Sequence, residues 1–219
     1  FISNYKKYLS INTKLSYFRE KINNDSNKSY IEKFLALISN CKNYGILPFA
    51  HAARQAFISK TLLDYMLRNK IIKKNRYYEF LSSINTVSTE LNLDKSLYIK
   101  NKISRKILID KYGHLRENTY EIANMSYSEN PKKYLFDKNY IDIQNNKSFD
   151  FTINEKNKIN KFIIKNLNIN FIKFINFLSE SIKLREKLKF EFTKNINAAF
   201  YNLIKWSKKQ NIKRQDLSY

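Results

Sequence analysis

The stretch Phe190-Glu191-Phe192-Thr193-Lys194-Asn195-Ile196-Asn197-Ala198-Ala199-Phe200-Tyr201-Asn202-Leu203 reads as a helix. Phe192, Ile196, Ala199, Phe200 and Leu203 fall at i, i+4, i+7, i+8 and i+11, one apolar stripe with the 3.6-residue period. The same reading extends upstream, and residues from Ile153 onward form long helices. The most apolar stretch, 159–178, is interrupted by Lys161, Lys165 and Lys173, which argues against a membrane span and for a buried helix or helix pair.

Further upstream the period persists. Tyr77, Phe80, Leu81, Ile84, Val87 and Leu91 predict one amphipathic helix over residues 76–93, and Ile103, Ile107 and Leu108 a shorter one. A helix over 49–69 opens with Ala50, Ala52, Ala53 and Ala56, small side chains that let another helix or a ligand come close. Pro48 suits its first turn, while Gly45 is expected to end the helix before it, which Ser29 would cap and Ile31, Phe34, Leu35 and Ile38 would line. The first helix, from Ile2 and Tyr5 to Ile22, ends in the polar run Asn23-Asn24-Asp25-Ser26-Asn27. Between Tyr127 and Asn154 the pattern breaks, with Pro131, Asp137, Asp142, Asn145 and Asn146 along the way, so this is the longest irregular connection.

Two glycines and two prolines in 219 residues leave almost none of the turn chemistry that hairpins need. Hydrophobic residues at 43% supply a full core for one large or two small domains. The expected class is all-α, a multi-helix bundle-like domain with one long irregular loop. The chain divides into N-terminal helices over 1–44 and a helical region over 45–219, read together as one continuous unit.

The net charge of +22 would ordinarily point to a polyanion. Only eight of the 41 basic residues are arginines, and the 33 lysines travel with abundant Asn and Ile, as an AT-rich coding sequence would produce. They are scattered over many helical faces, which favours a solvated surface over nucleic-acid binding. A lone cysteine, Cys41, makes no internal disulfide and fits a reducing cytoplasm. With two separated histidines and no His-Glu-x-x-His, no metal site is expected.

The chemistry-bearing residues gather in Lys111-Tyr112-Gly113-His114-Leu115-Arg116-Glu117-Asn118-Thr119-Tyr120-Glu121-Ile122. Gly113 lets the backbone come close to another group, and within one turn follow an imidazole that titrates near neutrality and a guanidinium able to fork onto a phosphate or carboxylate. The alternative is a helix end closed by Gly113, with His114 and Arg116 capping carbonyls or covering apolar surface.

This run resembles the Tyr-Gly-His-Leu-Arg-Pro-Gly-Thr-Tyr-Asp-Ile stretch of phosphoenolpyruvate synthase-like phosphotransferases, and a looser Gly-His-Arg version is similar to one in rifampicin phosphotransferases. Glu129-Asn130-Pro131 continues the likeness. Two more segments agree in order and spacing: Gly45 to Ala50 with Ala53 to Ile58 upstream, and Phe190 to Asn195 with Arg214-Gln215-Asp216-Leu217-Ser218-Tyr219 downstream. The resemblance spans about Gly45 to Tyr219. It implies a protein made of an ATP-grasp domain, a helical middle region and a swivelling domain whose histidine carries the phosphoryl group, with ATP and magnesium serving the whole. This chain is similar to the middle part. It has no glycine-rich phosphate cradle and no Thr-Ser-His context at either histidine, and a start at Phe1 and stop at Tyr219 read as an excerpt.

On that resemblance His114 is the candidate catalytic group, and Arg116, Arg54, Tyr112, Thr119, Tyr120 and Glu121 are candidates to contact a small-molecule substrate or its phosphate. Partner domains would come from the same polypeptide, with no membrane involved. His51 stands where the family often has glycine and reads as peripheral. Two departures stand out: Glu117-Asn118 replaces Pro-Gly, and Ser126 replaces a second arginine. A non-catalytic basic module that binds nucleic acid, and a purely structural interdomain linker, remain the alternatives.

Overall fold

The computed structural model describes residues 2–137 and 148–218. The elements run α1 (Ile2–Asn24), α2 (Tyr30–Asn40), a π-helical segment (Cys41–Ile46), α3 (Leu47–Arg68), α4 (Lys74–Ser83), α5 (Val87–Ile99), α6 (Arg105–Tyr112), α7 (Pro131–Tyr134), α8 (Ile153–Asn166), α9 (Phe171–Lys209) and a 3-10 turn (Arg214–Leu217). The fold is all-α. Among the described residues there is no strand, and one isolated bridge pairs Arg116 with Ser126.

Local capping explains many boundaries. Ser29 and Glu32 form a reciprocal capping box on α2, Thr152 and Glu155 another on α8. Ser104 caps α6 and Asn170 caps α9, each accepting a backbone N–H three residues on. The expected helix over 76–93 is instead two. Thr86 and Thr89 form a capping box that restarts the chain as α5, and Ile84 at the end of α4 turns to an extended conformation, ψ 115°, to bury its side chain.

Gly45 does not end a helix either. Cys41 and Leu47 keep right-handed helical angles at the two junctions, so α2, the π-helical segment and α3 run on without a break through residues 44 and 45. Pro48 lacks the N–H that a regular helix would direct at the turn before it, and the wider π turn accommodates that loss. Gly45 serves close approach: a Cβ there would sit 2.5 Å from the Phe192 ring, which also stacks on Phe49 at 5.9 Å.

Helix α9 is the axis. At 39 residues it is about 58 Å long, and it packs against α1, α2, α3, α5, α8, the π-helical segment and the 3-10 turn. Leu63, Met66, Tyr77, Phe80, Ile159, Ile163, Phe174 and Leu178 fill the core between α3, α4, α8 and the start of α9. Tyr8, Ala52, Leu184 and Leu188 pack midway. Beyond them lies a buried polar seam, where Asn40 donates to Asn195 and to the Leu15 carbonyl, both at 3.0 Å. Asn195 donates onward to the Leu37 carbonyl and to the Cys41 sulfur. Cys41 is a free thiol whose pKa burial pushes up.

The expected helix pair over 159–178 is present as α8 and the start of α9, joined by an asparagine-rich turn in which Asn168 has φ 48°. It is not wholly buried, since Ile164 and Ile172 face outward. Of the long connection expected over 127–154, residues 131–134 form α7, while Asp142, Asn145 and Asn146 lie outside the described residues.

Candidate functional site

The segment 113–130 is the longest described stretch without regular helix, and it folds as a closed turn against α9. Gly113 caps α6 with ordinary helical angles, φ −60°. Its requirement is space, because a Cβ would collide with the Ile109 carbonyl and lie 2.9 Å from the Ser128 Cβ. The turn then doubles back: the Tyr127 N–H donates to the Leu115 carbonyl at 2.7 Å and the Ser128 N–H to the Gly113 carbonyl at 2.9 Å. At its tip Asn118 sits at φ 50°, the left-handed region that Gly and then Asn tolerate best. Glu117-Asn118 in place of Pro-Gly therefore keeps a residue suited to the turn at its critical position.

Two arginines hold this loop from inside. Arg116 is only 8% exposed and donates to the carbonyls of Glu121 and Asn124 at 3.4 and 3.1 Å and to Asn197 Oδ1 of α9 at 2.5 Å. Its guanidinium lies 5.0 Å from the Phe200 ring centre. Arg214, from the 3-10 turn, donates to the Ile122 and Asn124 carbonyls and forks onto Glu129 at 2.6 and 3.2 Å. Burial pushes the Glu129 carboxyl up, but hydrogen bonds from Arg214 and Ser126 outweigh it and hold the group below the usual carboxylate range. Ser126, where the resemblance has an arginine, is buried and shares a hydrogen bond with Ser128.

His114 lies edge-on to Phe190 of α9, ring centres 4.5 Å apart, and its Nε2 is buried without a hydrogen-bond partner. Burial chiefly, helped by the positive charges of Lys194 and Arg19, lowers its pKa to about 3; backbone groups of Phe190 and Lys111 act the other way and lose. The imidazole is neutral at physiological pH. Tyr112 is fully buried and donates to Asp94 of α5 at 2.8 Å, an acceptor it shares with Lys111 at 2.8 Å; burial chiefly, with Asp94 acting the same way and Lys111 against it, raises the phenol pKa.

The remaining candidates face outward or elsewhere. Thr119 and Leu115 line a cavity of about 170 Å³ that Val87 and Leu91 of α5 and Phe190 and Thr193 of α9 close. Tyr120 is 59% exposed at the tip. The Glu121 carboxylate is held below its usual range by a hydrogen bond from Ser218 and another from the Ala123 N–H. Arg54 is exposed on α3 and has no hydrogen bond or ion pair among the described residues; it does not join the turn. His51 stacks on Tyr8 at 5.3 Å.

The structure thus brings together Tyr112, His114, Arg116, Thr119, Tyr120 and Glu121, and leaves Arg54 apart. Sequence reasoning missed Asp94 and Asn197 as partners of this region. Each is one polar residue in an ordinary helix, 18 and 81 positions from the group it binds, with no local signal to betray it. Among the described residues no His, Cys, Asp and Glu group could hold a metal ion, and no helix is long and apolar enough to cross a membrane. Exposed lysines occur on α1, α4, α6, α8 and α9, including Lys6, Lys14, Lys74, Lys106, Lys161 and Lys187. Compared with known proteins, the chain matches no family model, no curated protein and no solved structure.

Proposed function

We propose that this chain is the helical middle domain of a phosphoenolpyruvate synthase-like phosphotransferase, placed between an ATP-grasp domain that binds ATP and magnesium and a swivelling phosphohistidine domain. The observation that supports this reading is convergence. The three segments that carry the resemblance are far apart in sequence yet meet on α9: Gly45 and Phe49 on Phe192, His114 on Phe190, and Arg214 across the turn to Glu129.

Within that domain the turn divides its labour. Arg116 and Arg214 hold backbone carbonyls from behind, Tyr112 ties the end of α6 to Asp94 and His114 packs on Phe190, while Tyr120 at the exposed tip and Thr119 at the neighbouring cavity meet the substrate or the visiting domain. A second reading, a purely structural linker, is favoured by Arg116, whose terminal nitrogens are already directed at protein acceptors. The compartment in this reading is the cytoplasm, in keeping with the free Cys41.

The test is phosphoryl labelling. The full-length product, incubated with radiolabelled ATP and magnesium, is expected to acquire acid-labile phosphate and pass it to a small molecule. Absence of labelling, or a coding sequence lacking both an ATP-grasp domain and a Thr-Ser-His segment, overturns the proposal. Tyr120→Ala then separates the two readings: lower turnover with an unchanged melt places the turn at the substrate, and unchanged turnover leaves it structural.

A further inference from the structure

A second cavity, of about 340 Å³, is walled by the end of α5, the first residue of α6 and the segment that leaves α7. It shares no lining residue with the cavity at Thr119, and its size lies in the range of small-molecule sites, roughly 300–1,000 Å³. The sequence builds the walls locally. Tyr98 and Ile99 close α5, Asn101 at φ 55° turns the chain out of it, and the Ser104 cap makes Arg105 the first residue of α6. Leu135 and Phe136 follow α7, and Leu135 is anchored in the core with Leu108 and Tyr112.

Two cations line this cavity, and both are held in place. Arg105 donates through Nε to the Tyr98 hydroxyl at 2.9 Å, and its guanidinium lies 5.0 Å from the Phe136 ring centre, which is itself 5.0 Å from that of Tyr98. Among the described residues the terminal nitrogens of Arg105 meet no protein acceptor. Lys95 donates to the Tyr134 carbonyl at 2.6 Å, which leaves two further N–H donors on its ammonium. Burial lowers the Lys95 pKa, and Asp137, the one acid of the lining, works against that shift. A guanidinium fixed at Nε with its fork open is prepared for an oxyanion, because its ordering precedes the ligand. The apolar walls of Ile99, Leu135 and Phe136 would gain nothing from a bare ion; they call for a ligand with a body.

We propose that the cavity binds a small organic acid, with its carboxylate or phosphate on Arg105 and Lys95 and its apolar or aromatic body against Ile99, Leu135 and Phe136. The guanidinium fork donates two hydrogen bonds to the oxyanion, and burial of the body supplies the remaining affinity. This site stands independently of the phosphotransferase reading and of the turn over 113–130.

The experiment is calorimetric titration of the full-length protein with phenyl phosphate and with phenylacetate, beside inorganic phosphate and benzyl alcohol. The expected result is saturable binding of at least one aromatic acid, about tenfold or more tighter than inorganic phosphate and than benzyl alcohol; the tighter acid identifies the oxyanion. Arg105→Gln is expected to weaken that binding about tenfold or more, and Arg105→Lys by less, since lysine keeps the charge without the fork. Ile99→Trp fills the cavity while keeping both cations, and abolishes binding. Arg68→Gln, at an exposed arginine of α3, leaves it unchanged. Thermal melts accompany each variant, and should Arg105→Gln fail to fold, Ile99→Trp at the half-exposed Ile99 carries the test. Failure of both acids to bind, inorganic phosphate or benzyl alcohol binding as tightly as the acids, or binding that survives Ile99→Trp each overturns the proposal.

Discussion

The α3–α9 seam and the turn over 113–130 lean on the same long helix, yet different forces hold them. In the seam, small residues on α3 let two helices approach, and apolar side chains such as Leu63, Met66 and Leu178 fill what remains. Its specificity is shape, and its free energy comes from area removed from water. The turn also packs Ile122, Leu115 and Tyr127 inward, but it carries a stretch of backbone with no helical ladder. Its carbonyls point inward, away from any helical partner, and the donors they find are Arg116 and Arg214. A buried polar loop is stable only when its backbone groups are satisfied, so two guanidiniums replace a ladder of N–H groups. The lesson is that the conspicuous arginine of the motif is spent on architecture, while the chemically plain residues at the tip are left for contact.

Substitutions sharpen that contrast. Leu63→Ala in the seam is expected to cost most, about 2–5 kcal/mol in denaturant unfolding, because Leu63 is fully buried and the helices cannot collapse onto the cavity. Exchange of backbone amides should rise throughout the bundle. A loss well under 1 kcal/mol would mean that the seam is not close-packed.

Arg116→Met should cost about 2–3 kcal/mol, since it strands the Glu121 carbonyl and Asn197 without their donor and leaves the Asn124 carbonyl to Arg214 alone. Unlike the Leu63 change it should act locally, opening the Tyr127 and Ser128 amides to exchange while those of α3 stay protected. Arg116→Lys should fall between, because lysine keeps the charge and loses the fork. Equal loss of protection in both regions would mean that Arg116 supports the whole bundle and not the turn alone.

Histidine 114 supplies a pH dependence. Its folded pKa of about 3 lies below the ordinary 6.5, so the unfolded chain binds the extra proton. The neutral form's contribution to stability is full above about pH 6.5 and is lost as pH falls toward 3, at no more than about 1.4 kcal/mol per pH unit. Thermal melts between pH 7 and 5 should show this decline in the native protein and a flatter profile in His114→Gln. An equal slope in both would place the imidazole in contact with solvent.

The smallest effect belongs to Arg54. Exposed and unpartnered among the described residues, it should tolerate Arg54→Ala with a change in stability within about 0.5 kcal/mol. A larger destabilisation would show that Arg54 belongs to the fold.

Much of this molecule was legible in single stretches of sequence. Scarce glycine and proline with 3.6-residue stripes sufficed for the all-α class, and Ser29 with Glu32 marks the start of α2, because a capping box is complete within one turn. Of the stripe read on α9, Phe192 and Ala199 are buried while Ile196, Phe200 and Leu203 are only half-buried, and the neighbouring buried positions include the polar Asn195 and Asn202, with the partners of Asn195 on other elements. Asn118 is of a type that tolerates the left-handed position of the turn, but Asn12, Asn40 and Asn195 sit in ordinary helix, so type alone did not single it out. Tertiary structure decided the rest. Whether Gly45 ends a helix or admits a ring depends on Phe192, 147 positions away, and whether a motif arginine meets a ligand or a carbonyl depends on how 113–130 folds back on itself. The proton on His114 depends on burial against Phe190 and on Lys194 and Arg19 nearby. Propensity, capping and periodicity act over a few residues and are written where they act; close approach, desolvation and the pairing of buried charges exist only once distant segments have met.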